Sequence, residues 1–328
     1  MSEVIRIATF NLENLDDKPD QIPTIDERIV IMKPQLIRLN ADILCLQEVN
    51  GQEIPAQPRA LLALDRLIAN TPYTGYNRVS TMTADGRQVY DERNLVILSR
   101  FAITEHNQYK HDYIPEPSYQ KVSSVPPEAE SKSVTWERPI FYAKTTLPNG
   151  KTLHVVNLHL KSRILVSVEG QKIDTYTWRT AHGWAEGYFI ASMKRVGQAL
   201  ETRVLVDNIL DNDDQALIVV CGDFNSTSDN VPVQAIRGDV ENTGNGKLSN
   251  RVLIPCEQTV PESSRYSLLH LGKGEMLDHL LVSRSLLAFY NHTEIHNEIL
   301  HDESIAFATD KKYPESDHAP IVAEFNIV

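Results

Sequence analysis

Apolar residues in this chain fall into short runs separated by polar, proline-bearing stretches, and the spacing inside each run sets the element it favours. Residues 4–10 (VIRIATF) are β-favouring and predict a first strand, followed by a polar loop over 11–24 that holds Asp16, Asp17 and Pro19. Over 26–40, Ile29, Met32, Leu36 and Leu39 recur at helical spacing, and Pro34 is expected to kink or shorten that helix. A buried strand over 43–46 ends at Gln47-Glu48; a helix over 58–69 and a strand over 95–98 follow. Residues 104–137, with Pro115, Pro117, Pro126 and Pro127, read as a long irregular segment, either a lid, a substrate loop or a surface excursion. Strands over 140–144 and 153–160 flank a Leu147-Pro148-Asn149-Gly150 hairpin turn. A long amphipathic helix over 184–210 precedes a wholly apolar strand over 216–221, and strands over 276–282 and 321–328 complete the series.

Strands, hairpins and interspersed helices predict a mixed α/β protein with two packed sheets and helices outside. No repeat, low-complexity tract or linker divides the 328 residues, so one domain over 1–328 is expected. The composition, 41% hydrophobic and 23% charged, is that of a folded globular protein and excludes bulk disorder. The formal net charge of −12 has the wrong sign for a surface that grips nucleic acid everywhere, which leaves a local basic rim as the only route to such a partner. Cys45, Cys221 and Cys256 lack metal or disulfide spacing, so neither a zinc site nor a disulfide framework is expected. There is no signal-peptide pattern and no apolar run of membrane-spanning length, which makes a reducing cytoplasm the expected compartment unless a leader was removed. No protein partner is implied, and a monomer is expected.

The chemistry-bearing residues are ordered by position. Asn11, Glu48, His159, Asp223 with Asn225, Asp278, and Asp317 with His318 all stand at or just past the end of an apolar strand run, at the rim where a rigid sheet can hold polar groups in place. Any one of them alone reads as a turn former, a helix cap or a backbone-satisfying side chain.

Together, the fragments TFNLE (9–13), LQEV (46–49), NLH (157–159), GDFNS (222–226), LDH (277–279) and SDHAP (316–320) resemble, in order, the motifs of the endonuclease/exonuclease/phosphatase superfamily of phosphoesterases. The resemblance spans Thr9 to Pro320. It implies a four-layer αββα sandwich with a Mg2+ (or Mn2+) site at the strand ends. Glu48 would be the leading ligand, flanked by Asn11 and Asp317, with Glu13 where some members carry a further acid. The residue types suit that ion independently, since a hard cation takes a few carboxylate oxygens and fills its shell with water and phosphate. The resemblance makes His318 the general base and Asp278 the carboxylate that orients it. Asp223 would hold the attacking water or protonate the leaving group, and Asn225 and His159 would donate to phosphate oxygens. Asn157, Lys161 and Arg93 are candidate substrate-binding residues, Lys161 because it follows His159 by two positions and so shares its strand face. Arg138, Arg163 and Arg179 are further basic candidates. His279 is read as strand packing.

The substrate is a phosphate ester, and two classes remain. The NxHLKS segment (157–162) resembles that of nucleases acting on DNA or RNA. The acidic net charge favours a phosphatase or phosphodiesterase for a smaller substrate, such as a phosphoinositide, a phospholipid head group or a nucleotide.

Overall fold

A computed structural model of the chain describes residues 3–327. Twelve strands build two six-stranded sheets: β1 (Glu3–Leu15), β2 (Ile43–Val49), β3 (Asn77–Ser80), β4 (Asn94–Ser99), β5 (Ile103–Tyr109), β6 (Ile140–Thr146), β7 (Thr152–His159), β8 (Leu217–Asp223), β9 (Ile254–Pro255), β10 (Asp278–Val282), β11 (Tyr290–Ile295) and β12 (Ile321–Ile327). The first sheet has the order β11-β12-β1-β2-β4-β3 and the second β9-β10-β8-β7-β6-β5. Helices α1 (Ile25–Leu39) and α2 (Leu62–Ile68) cover the first sheet, while α3 (Ala181–Asn212) and α4 (Val231–Arg237) cover the second.

The period-two alternation of each strand decides which layer it feeds. Ile5 and Ile7 of β1, and Ile43 and Cys45 of β2, point between the sheets and meet Val155, Val219, Cys221 and Leu280 of the second sheet. Their neighbours Ala8, Phe10, Leu44 and Leu46 point outward onto Met32, Leu36 and Leu64 of the helices. On the other side Val156, Leu158, Ile218 and Val220 pack against Val206 and Ile209 of α3. Three apolar layers therefore separate four layers of secondary structure, and the expected αββα sandwich is the observed one.

Four local expectations change. β1 does not stop at Phe10 but runs on to Leu15 through a shift in its pairing with β2, because Leu12 and Leu15 are buried on the helix side; Glu13 and Asn14 sit at φ 46° and 50° in that shift. The helix over 58–69 shrinks to Leu62–Ile68, since Gln57–Ala60 pairs with Gln52–Ile54 in a hairpin. Pro34 does not end α1, which a Thr24/Glu27 capping box starts and Asn40, in the left-handed region, closes. The first part of the segment over 104–137 is edge strand β5, whose mostly exposed polar residues hide its identity in the sequence. No helix among the described residues is long and apolar enough to cross a membrane.

Candidate active site at the facing strand ends

Strand direction brings the candidate residues to one rim. β1 and β2 are parallel and end there, carrying Asn11, Glu13 and Glu48; β12 runs antiparallel to β1 and starts there, just after Asp317 and His318. In the second sheet β7 and β8 are parallel and β10 antiparallel, and the register pairs His159 with Asp223 and Asp223 with Asp278, so three chemistry-bearing side chains stand on adjacent strands at one level. Gly222 makes the close approach possible: its φ is 135°, and a Cβ there would lie 2.0 Å from the Leu158 carbonyl oxygen.

Asp223 and Asp278 of the second sheet anchor a hydrogen-bonded cluster that His318 and Asn11 join from the first sheet. His318 Nδ1 lies 2.7 Å from Asp278 Oδ2, and both side chains are nearly inaccessible. That contact fixes the tautomer of neutral His318, with the proton on Nδ1 and the Nε2 lone pair free, 3.9 Å from Asp317 Oδ1. Asp223 accepts from the Asn225 backbone N–H at 2.8 Å, from Asn225 Nδ2 at 2.9 Å and from Asn11 Nδ2 at 3.1 Å. His159 Nε2 sits between Asp223 Oδ2 (3.3 Å) and Glu48 Oε1 (3.4 Å). Burial raises the Asp223 carboxyl to about 7, with the Asp278 charge adding to it. Burial works against a charged His318, but Asp278, Asp223 and Asp317 together hold its pKa well above the ordinary value. Burial drives His159 the other way, well below 6.5, helped by the Arg138 charge.

The first-sheet half is different in kind. Glu48, at φ 58°, accepts from the Asn14 backbone N–H at 3.0 Å, and Glu13 accepts from the Asp317 N–H at 3.0 Å. Burial raises Glu13 to about 8, the Asp317 charge contributing, and burial raises Asp317 to about 6, the Glu48 charge contributing. Arg28, the nearest buried cation, directs its guanidinium at the carbonyls of Leu12 (2.7 Å) and Glu13 (3.0 Å), not at these carboxylates. Adjacent carboxylates, two of them raised by burial and by a neighbour's charge, fit a hard divalent cation, whose charge would offset that repulsion. Asp223, Asp278 and His318 also bring one potential ligand atom each within 4.8 Å of one another, but there the short His318–Asp278 bond already engages two of the three groups.

Two of the substrate-binding candidates are engaged by the protein itself. Asn157 is inaccessible and ties the two sheets together: its Nδ2 donates to the Leu46 and Val96 carbonyls (3.0 Å each) and its Oδ1 accepts from Gln47 Nε2 at 2.7 Å. Lys161 lies past the end of β7, not on its face, and its ammonium is engaged by Ser162 O, Ser162 Oγ and Ile164 O; burial lowers it to about 8. Arg138 is likewise buried on the His159 and Leu160 carbonyls, Arg163 pairs with Glu275, and Arg179 Nε reaches the Lys172 carbonyl. Arg93 is exposed and lines a cleft of about 450 Å3 together with Glu13, Asn14 and Asp317. His279 is fully buried between Glu257 Oε1 (2.6 Å) and the Ser226 carbonyl (2.8 Å), in keeping with a packing role.

The supporting residues carried weak sequence signals. Ser267 Oγ accepts from the N–H groups of Leu277 and Asp278, and Ser316 Oγ donates to the Asn11 carbonyl while accepting from the His318 N–H. Ser316 lies inside the SDHAP fragment, but Ser267 stands in a stretch with no pattern of its own.

The model of the endonuclease/exonuclease/phosphatase family matches residues 8–318. Among solved structures, an endonuclease/exonuclease/phosphatase family protein from Bacteroides thetaiotaomicron is similar with TM-score 0.57 and 15% identity, covering 100% of this chain and 96% of its own. A 3′ phosphatase from Neisseria bound to product DNA hairpin is similar with TM-score 0.53 and 16% identity, covering 98% of this chain and 99% of its own. A mannosyl-6-phosphatase from Bacteroides thetaiotaomicron is similar with TM-score 0.55 and 16% identity, covering 97% and 98%. At these identities the likeness is one of fold. No curated protein sequence matches the chain.

Proposed function

The chain belongs to the endonuclease/exonuclease/phosphatase family, and on that premise we propose that it is a single-domain, monomeric phosphodiesterase acting on DNA or RNA with Mg2+ or Mn2+. The observation that carries the reading is the 2.7 Å contact between His318 Nδ1 and Asp278 Oδ2, with Nε2 left facing the carboxylates of the other half. A bare imidazole on a sheet rim would be a surface residue; one oriented by a buried carboxylate is a proton acceptor held in place.

Glu48 would hold the cation, with Asn11, Asp317 and Glu13 completing the protein's share of its shell. When bound, the cation supplies positive charge to the phosphate oxygens. The chain's own residues do the rest. In its neutral form, which the surrounding carboxylates disfavour and a cation beside Asp317 would favour by offsetting their charge, His318 takes a proton at Nε2 from the attacking water, and the Asp278 carboxylate stabilises the imidazolium that forms. Asp223, at about 7, is poised to carry a proton to the leaving oxygen. Asn225 donates its amide protons to Asp223 Oδ2 and to the Leu160 carbonyl, and would have to release one of them to meet the charge that builds on phosphate. His159, neutral and buried, has Nε2 against Glu48 and Asp223, and would have to leave those carboxylates to donate to a phosphate oxygen.

A second reading, a phosphatase or phosphodiesterase on a smaller substrate, is favoured by the net charge of −12 and by the bounded cleft beside Glu13 and Asp317. One assay separates them: purified protein with Mg2+ against supercoiled DNA, RNA, bis-p-nitrophenyl phosphate and p-nitrophenyl phosphate. Nicking or degradation of the polymers, with the diester preferred over the monoester, supports the nuclease. Turnover of the monoester alone overturns it.

A further inference from the structure

The cleft beside Glu13 and Asp317 has features that hydrolysis at the reacting centre does not use. Its base is stiff: Asp16 accepts from Asn50 Nδ2 at 3.0 Å and from Gln52 Nε2 at 2.9 Å, while Asn50 Oδ1 accepts from the Arg93 backbone N–H at 2.9 Å. That last bond anchors Arg93 at φ 58°. The Arg93 guanidinium reaches only Asn14 Oδ1, at 3.5 Å, and neither Arg93 nor Lys312, also on the lining, forms an ion pair among the described residues. The same lining carries Glu13, Asp16, Glu92, Glu303 and Asp317, of which Asp16 is engaged by Asn50, Gln52 and Lys18 and Glu303 by His270; Arg93 and Lys312, which pair with none of them, are the cations open to an anion from solution.

The lining also carries Phe307, 67% exposed on the short helix Glu303–Ala308, and Tyr313, whose ring stacks on His301 with centroids 4.0 Å apart and planes within 10°. Tyr313 is thus occupied, and Phe307 offers a free aromatic face. At about 450 Å3 the cleft falls in the range of roughly 300–1,000 Å3 typical of sites for one small molecule, too little for a duplex.

We propose that this cleft seats one nucleotide unit next to the scissile phosphate, with its flanking phosphate on Arg93 and Lys312 and its base stacked on Phe307. The proposal rests on the phosphodiesterase reading above and narrows it to a strand end or a free short nucleotide. A phosphorylated sugar without a base would satisfy the cations but leave the Phe307 face in water. A nucleotide satisfies both, because every base has a π-face and stacking on an aromatic side chain tolerates sequence.

The test is a cycle of kcat/KM values with Mg2+ on three dinucleotides: 5′-phosphorylated thymidylyl-thymidine, the same molecule without its 5′-phosphate, and the same molecule with the 5′ base replaced by an abasic tetrahydrofuran. In the wild-type protein each deletion should lower kcat/KM, the base by roughly 5- to 100-fold. Phe307→Ala should erase the base penalty and keep the phosphate penalty, whereas Arg93→Ala with Lys312→Ala should do the reverse. Phe307→Leu, which keeps apolar bulk without the flat face, guards against a folding defect and should also lose most of the base penalty. Penalties unchanged in the variants, or absent in the wild type while the diester is still cleaved, overturn the nucleotide seat and leave the phosphodiesterase reading standing. Absence of turnover on all three and on bis-p-nitrophenyl phosphate defeats the phosphodiesterase reading itself. Repeating the cycle at the end of a longer single strand separates the sources: penalties there assign strand ends, and penalties confined to the dinucleotides assign free short nucleotides.

Discussion

The two halves of the site use the same residue types to opposite ends. Around Asp223 and Asp278 of the second sheet, with His318 and Asn11 reaching across from the first, donors and acceptors meet at 2.7 to 3.1 Å, so this geometry exists without any ligand. On the first sheet Glu13 and Glu48 accept from backbone N–H groups, Glu48 also faces neutral His159, and Asp317 lies 3.9 Å from His318 Nε2; burial and a neighbouring carboxylate's charge raise Glu13 to about 8 and Asp317 to about 6, as they raise Asp223 to about 7 in the other half. The difference teaches that carboxylates at a strand end are not one kind of feature. A carboxylate paired with an imidazole has its charge answered by the ring, even though Asp278 Oδ1 is buried without a hydrogen-bond partner. A carboxylate beside another carboxylate is unfinished, and what finishes it is a cation.

The sharpest way to break this comparison is to strip the paired half. His318→Ala should lower kcat/KM on a diester by roughly 100- to 10,000-fold, the range general-base help supplies, and Asp278→Asn should lose a similar share. Residues that act as a unit are strongly non-additive, so the double variant should be little worse than His318→Ala alone. Fully multiplicative losses would separate the two residues, and a nearly active His318→Ala would point to Asp223 as the proton acceptor.

A smaller effect is expected where the halves are joined. Asn157→Leu leaves the Leu46 and Val96 carbonyls without their donor between the sheets, while Gln47 Nε2 loses one acceptor and keeps Thr9 Oγ1 at 3.0 Å. Each orphaned buried group costs about 1–3 kcal/mol and the costs are not simply additive, so a loss of about 2–4 kcal/mol in urea unfolding is expected. An unchanged midpoint would show that water or a repacked Gln47 replaces the amide.

The smallest effect lies outside the site, where charge pairing is again complete. Burial pushes the Glu294 carboxyl up, but hydrogen bonds from His296, Arg6 and His292 more than offset it and hold it at about 2. A carboxyl depressed from the ordinary value of about 4.3 contributes stability that is present above that pH and lost as pH falls toward 2. Glu294→Gln should therefore flatten the acid limb of the stability curve between about pH 4.5 and 2, followed by thermal unfolding at stepped pH, and an unaltered slope would assign that limb to other groups.

How much of this was legible in the chain depends on what ordered each part. Runs such as Ile218–Cys221, buried on both faces, declare themselves by composition, and so does the α1 face of Met32, Leu36 and Leu39. The edge strands β3, β5 and β11 do not, because one face is solvated and few apolar residues mark them. At the site, residue types and their order pointed to the rim. What the sequence could not show is direction. Asn157 and Lys161 have the chemistry of substrate ligands, yet Asn157, inside β7, faces the first sheet and is spent between the sheets, and Lys161, beyond the strand's end, is spent on the turn that follows. Ser267 was invisible for the opposite reason: its one hydroxyl matters only through the two backbone N–H groups that the fold brings to it from ten and eleven residues away.

The claim that the unfinished half awaits a cation is tested most directly by titrating chelator-treated protein with Mg2+ while following hydrolysis of bis-p-nitrophenyl phosphate, for the wild type and for Glu48→Gln. Chelation should abolish turnover, Mg2+ should restore it, and the half-saturating Mg2+ concentration should rise roughly tenfold or more in Glu48→Gln, at least the loss that disturbing a metal site's supporting shell produces. Wild-type turnover that survives chelation, or a Glu48→Gln variant with the wild-type rate and the wild-type Mg2+ midpoint, would contradict the account.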